Sequence, residues 1–102
     1  MAFILQVDFP FAGPWGEGMA EALAPLAGSI AMEPGLLWKI WTEDEPSGTA
    51  GGIYLFETRE QAEAYLTMHA RRLEGFGVSG VRARIFSTNP RLDALTRAPA
   101  PR

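Results

Sequence analysis

The chain has 102 residues, 47% of them hydrophobic, a formal net charge of −3 and no cysteine. That length leaves room for one domain with a modest core, the hydrophobic share argues against disorder, and the acidic balance offers no electrostatic reason to approach nucleic acid or an anionic membrane. Disulfides, thiolate nucleophiles and cysteine-held metals are excluded; no apolar run nears the ~20 residues of a membrane span and the start lacks the pattern of a secretory leader, so a cytoplasmic protein is expected.

Residues 2–9 begin apolar and then alternate, with Phe3, Leu5, Val7 and Phe9 on one face and Ile4, Gln6 and Asp8 on the other. This predicts a strand with one dry face. Pro10 and Gly13-Pro14 end it in a loop. Residues 15–32 place Met19, Leu23, Leu26 and Ile30 at helical spacing, which predicts a helix kinked at Pro25, where the bond to the Glu21 carbonyl is lost. Pro34-Gly35 turns the chain into a second strand over residues 36–43. Simple alternation sets Leu36, Trp38, Ile40 and Thr42 on one face and Leu37, Lys39, Trp41 and Glu43 on the other. An acidic turn follows, from Asp44 to Gly48, and then a third strand over residues 51–57. Its opening Gly51-Gly52 marks a bulge or a close approach to the backbone.

Thr58-Arg59-Glu60-Gln61 fits a reciprocal capping box. The helix behind it, residues 59–74, turns Ala62, Tyr65, Leu66, His69 and Leu73 inward, and Gly75 and Gly77 stop it. Residues 81–87 alternate as a fourth strand, Val81, Ala83 and Ile85 against Arg82, Arg84 and Phe86. Asn89-Pro90 then caps and opens a short helix to about residue 96, and residues 98–102 are expected to be a frayed tail.

The order β-α-β-β-α-β with right-handed crossovers predicts an α+β, ferredoxin-like fold, a four-stranded antiparallel sheet under two helices, in one domain over residues 1–97. The drier residues, Leu5, Val7, Trp38, Ile40, Ile53, Leu55, Ala83 and Ile85, are assigned to the helix side. The opposite face, with Gln6, Asp8, Lys39, Trp41, Tyr54, Phe56, Arg82 and Arg84, is too aromatic to stay wet. A homodimer anchored there by Trp41, Tyr54 and Phe56 is expected, with Asp8 pairing Arg84.

His69 is the only histidine, on an apolar helical stripe. It is either a pocket base or donor or a core histidine satisfied by a backbone carbonyl. With no second histidine and no cysteine, no protein-held transition metal is expected. Trp38 is either a platform for an aromatic ligand or core filling. Trp15 either caps a pocket mouth or closes the end of the core. Glu43-Asp44-Glu45 reads as a solvated turn. No phosphate-binding glycine motif and no serine-hydrolase element is present.

Phe11-x-Gly13-Pro14-Trp15-Gly16, the run from Glu33 to Glu43 containing Trp38-Lys39-Ile40-Trp41, Ala50-Gly51-Gly52-Ile53-Tyr54-Leu55-Phe56, and Tyr65-Leu66-x-x-His69-x-x-Arg72-Leu73 together resemble the YdhR family of proposed mono-oxygenases. The likeness runs from about Phe3 to Leu95. It implies a dimeric α+β barrel, two ferredoxin-like sheets back to back, and oxidation of small aromatic or polyketide-like compounds without metal, flavin, haem or any other cofactor. On that reading His69, Trp38 and Tyr65 are the candidate catalytic residues. His69 would be the base for a phenolic proton, Trp38 the stacking platform, and Tyr65 or the Trp38 N–H the donor to a developing peroxide. Trp15, Met19, Leu23, Ile40 and Ile53 would line the substrate pocket. Two alternatives stand beside it: a non-catalytic small-molecule-binding dimeric scaffold, and a haem-binding or haem-degrading protein. The haem-degrading members of the superfamily use an Asn, a Trp and a His in the cleft; here the first strand offers Gln6 and Asp8 and no Asn.

Overall fold

Strand β1, Phe3–Pro10, lies inside the sheet because its alternation gives it one fully apolar face and two sides that can pair. In the computed structural model, which describes residues 2–99, β1 is bonded antiparallel to β3, Thr49–Phe56, on one side and to β4, Arg82–Ser87, on the other. Strand β2, Leu36–Asp44, pairs antiparallel with β3, so the order across the sheet is β2-β3-β1-β4. Helices α1, Glu17–Ala31, and α2, Arg59–Gly75, cover one face, and the short α3, Pro90–Leu95, follows β4. This is the ferredoxin-like α+β arrangement.

The core between sheet and helices joins Leu5 and Val7 of β1, Tyr54 and Phe56 of β3, Ile30 of α1, and Ala62 and Tyr65 of α2. Strands β1 and β4 face as the alternation predicts, but β2 and β3 face the other way. Leu36 pairs with Phe56 whereas Trp38 pairs with Leu55, so Leu37 is an extra residue, a bulge between them. A bulge reverses the parity of everything that follows it. Leu36 packs on the core, and beyond the bulge Lys39 and Trp41 point to the helices while Trp38 and Ile40 point away. In β3, Tyr54 sits opposite Leu5 and is 1% exposed, and Phe56 is 0% exposed. These two cannot anchor a sheet-to-sheet dimer, because the chain's own helices cover them. The open face carries instead Ile4, Gln6, Asp8, Trp38, Ile40, Ile53, Leu55, Arg82, Arg84 and Phe86. On it Asp8 pairs with its register partner Arg82, at 3.0 Å, and not with Arg84.

Helix α1 runs unbroken through Pro25. Helix α2 begins at a Thr58 cap that accepts the Gln61 N–H at 3.1 Å, but the box is only half closed. The Gln61 side chain lies against Gly35 and its buried oxygen has no hydrogen-bond partner. The end of α2 is a Schellman turn: Val78 N–H donates to the Leu73 carbonyl, Gly77 N–H to Glu74, and Gly77 takes a φ of 82° that a side chain would resist. Asn89 caps α3 through the Leu92 N–H. Of the expected tail, residues 100–102 lie outside the described residues, and Ala98 donates its N–H back to Asp93. Among the described residues no helix is long and apolar enough to cross a membrane.

Candidate functional site

Helix α2 lies close on the sheet, while α1 stands further off. The space left over is a cavity of about 330 Å³ between α1, the C-terminal half of α2 and the β2–β3 end of the sheet. Phe9, Phe11, Met19, Leu23 and Leu26 make its walls apolar. Its polar groups come from two places. On the sheet side, Lys39 and Trp41 reach it because the Leu37 bulge turned them inward, and Tyr54 stands beside Lys39 in the register. On the helix side, spacings of four residues put Tyr65, His69 and Leu73 on one stripe of α2, with His69 lining the cavity.

Contacts among these groups are close. Lys39 Nζ sits 3.2 Å from the centre of the Trp41 ring and 4.6 Å from that of Tyr54. Its stem can lie flat along the sheet because the neighbouring strand has Gly52 there; a Cβ at that position would come within 2.6 Å of Lys39 Cε. The Tyr65 hydroxyl donates to the Tyr54 hydroxyl at 3.0 Å, and the Tyr65 and His69 rings stack at 5.0 Å. His69 is 3% exposed. Arg72 approaches its Nδ1 through Nε at 3.2 Å and through the guanidinium terminus at 3.0 Å.

That last geometry sets the chemistry of the ring. A guanidinium only donates, so Nδ1 must accept, and the neutral ring carries its proton on Nε2. Burial first, then the Arg72 and Lys39 charges, pull His69 from 6.5 down to about 4. At neutral pH His69 is therefore a hydrogen-bond donor through Nε2, with its one lone pair already engaged. It is not placed to be a base. Burial, helped by Arg72, also lowers Lys39 from 10.5 to about 7. Burial pushes both Tyr54 and Tyr65 up, so both phenols stay protonated.

Of the residues expected at the site, His69, Met19 and Leu23 line the cavity, and Tyr65 reaches it through the Tyr54 hydroxyl and the His69 ring. Trp38, Ile40 and Ile53 lie on the other face of the sheet, moved there by the bulge and the pairing of β3. Trp38 packs instead in a second hollow with Ile4, Leu55 and the residues around α3. Trp15 stands outside the wall, edge-on to Phe11 at 5.4 Å. The alternation missed Lys39, Trp41, Tyr54 and Arg72. One signal for Lys39 was present, the glycine pair on the facing strand, which leaves a trough for a long side chain. Glu43, read as part of a solvated turn, accepts the Gly16 N–H at 2.8 Å and ties β2 to the start of α1. Among the described residues no group of three or more His, Cys, Asp or Glu side chains is placed to hold a metal.

The family described as "Putative mono-oxygenase ydhR" matches residues 4–99. Among solved structures, one from Deinococcus radiodurans, described as a putative antibiotic biosynthesis monooxygenase, superimposes with a TM-score of 0.62 at 14% identity, over 85% of this chain and 92% of that one. At that identity the likeness speaks for the fold. No curated protein has a significant similarity to the chain.

Proposed function

The chain belongs to the ydhR mono-oxygenase family, and from that premise we propose that it oxidises a small aromatic or polyketide-like compound with O₂ and without a cofactor, as a homodimer. The observation that carries the reading is the apolar cavity of about 330 Å³ with a neutral, donor-oriented His69 and the Tyr54–Tyr65 pair at one end. Its size falls at the lower end of small-molecule sites, about 300–1,000 Å³, which suits a ring system of two or three fused rings. Phe9, Phe11 and Trp41 offer faces and edges for such a ring.

An electron-rich substrate supplies the electrons itself. Conversion of a ring CH₂ to C=O takes both hydrogens and one oxygen atom; the other oxygen leaves as water, and no external reductant is needed. The protein's tasks are orientation, exclusion of water and donation to the developing peroxide. The His69 Nε2–H is the donor in this proposal. The Tyr54–Tyr65 hydroxyl pair holds the ring stack in place.

Oxygen uptake by chelator-treated protein against hydroquinones and anthrone-like phenols tests the proposal. Uptake above the autoxidation rate, reduced about tenfold or more by His69→Ala, which removes the donor, is the expected result. No uptake across the panel overturns it and leaves a binding protein.

For the partner, the open sheet face supports a second copy. Ile40 is 50% exposed and Phe86 43% exposed there, on strands at opposite edges, with Ile4 and Ile53 between them. The apolar side chains that α3 leaves uncovered on that face are costly to leave in water, and a two-fold pairing of like faces covers them.

A further inference from the structure

We propose that Lys39 is the proton acceptor and anion holder of the cavity, and that the cavity takes as its ligand the oxyanion of an acidic phenol or enol. This rests on the cavity being the ligand site, and it names the chemical class that site selects.

Lys39 Nζ lies inside the apolar cavity over the Trp41 and Tyr54 rings, and among the described residues no carboxylate pairs with it. The nearest acid on its own strand face, Glu43, is turned onto the Gly16 N–H. From α2 the groups that face the lysine are Arg72, which is held by His69, and His69 itself; from β3 there is Tyr54. Helix α1 contributes only Met19, Leu23 and Leu26. Lys39 thus sits in a largely nonpolar chamber with the Arg72 charge near enough to disfavour its own; Glu33, the acid that acts on Tyr65 behind the His69 ring, makes no salt bridge to it. A lysine so placed either sheds its proton or gains an anion from the ligand.

The position is also built. Gly52 is the trough in which the lysine stem lies, since any side chain there would strike Lys39 Cε. A lysine held along a sheet by a glycine on the next strand is directed at the cavity and half-buried there. Arg72 occupies the one lone pair that neutral His69 has, and the two tyrosines stay protonated. Lys39 is the remaining group that can accept a proton. Its amine is partly unprotonated near neutrality, because burial and Arg72 lower it to about 7.

The step is a simple transfer. The ligand O–H bond breaks, its electron pair stays on oxygen, and a new N–H bond forms on Nζ. The ammonium then faces the oxyanion in a dry chamber, where the attraction is stronger than in water. Nothing is oxidised in this step. The anion it leaves is the electron-rich form that can hand an electron pair onward.

The test uses 4-nitrophenol, whose anion is coloured, under anaerobic conditions. At about one pH unit below the ligand's own pKa, bound ligand should show the anion band, with an anion preference of about tenfold over free ligand. Lys39→Met should abolish that preference, with its folding checked by circular dichroism. Lys39→Arg, a permanent cation, should keep the band. The two roles separate at about pH 8, where binding of the anion by the natural chain should draw close to one proton from the buffer and Lys39→Arg should draw none; calorimetry in two buffers of different ionisation heat reads this. Ligand bound as the neutral phenol, no binding at millimolar ligand, or an unchanged band in Lys39→Met would overturn the proposal. So would equal proton uptake in Lys39→Arg. Absence of oxygen uptake with these results intact would sink the mono-oxygenase reading alone.

Discussion

His69 and Lys39 are both groups whose charged form the fold disfavours, and this shows in stability as a function of pH. The histidine titrates near 6.5 when unfolded and near 4 when folded. Between those values the unfolded chain binds a proton that the folded one refuses, so stability falls as pH drops through that window and levels off below it. His69→Gln should flatten the slope there by up to about one proton, measured by urea unfolding at a series of pH values; an unchanged slope would mean that the ring titrates normally. Lys39 obeys the same sign at higher pH. Its folded value of about 7 lies below 10.5, so its burial costs most below pH 7 and the cost disappears above 10.5. Lys39→Met is expected to raise stability by about 1–3 kcal/mol at acidic pH, and by less in alkaline solution. Tyr65→Phe removes the donor to the Tyr54 hydroxyl and is expected to cost about 1–2 kcal/mol, read from the shift in unfolding midpoint. At this scale the sequence made His69, Met19 and Leu23 legible, because a helical stripe shows its inward side by spacing alone. Lys39 was not legible as a cavity residue, because a charged side chain between two tryptophans is assigned to solvent unless the strand's parity is known.

Elements were readable where a local chemical signal marked them. Thr58, Asn89 and Gly77 mark three helix ends, and each makes the backbone bond its residue type suggests. Thr58→Ala is expected to cost about 1 kcal/mol, seen as a lower thermal midpoint. The faces of β2 and β3 were not readable, for two separate reasons. In β3 both faces are apolar, Ile53 and Leu55 against Tyr54 and Phe56, so alternation cannot choose between them. The gap below α2 is filled by the aromatic pair, whose one polar atom finds a partner in Tyr65. In β2 the choice hinges on Leu37. Leu36 belongs to the core, so counting by twos from it puts Trp38 inside; the bulge inserts one residue and puts Lys39 there. Deleting Leu37 should restore the simple count, carrying Trp38 and Ile40 under the helices and Lys39 out to solvent. The expected readouts are a normal lysine pKa near 10.4 and loss of 4-nitrophenol binding.

Across the whole molecule, the ferredoxin-like plan follows from the order of elements and their lengths, and this much the sequence states almost outright. The side of β1 and β4 that meets the helices was legible too; that of β2 depends on the bulge and that of β3 on a choice between two apolar faces, so the make-up of the face left for a second copy was out of reach. Ile40→Glu together with Phe86→Glu should leave a folded monomer if the open face is where two copies meet. Light scattering decides it, and a natural chain that runs as a monomer at micromolar concentration removes the dimer proposal. The position of β2 at the margin of the sheet has one more consequence. The strand that carries Lys39 and Trp41 is laced to a neighbour on one side only, so its amides should be among the first in the sheet to exchange with deuterated water. A ligand bridging Lys39 to α1 and α2 would act as the missing lacing, and slower exchange along β2 would report that the chamber is filled before any product is seen.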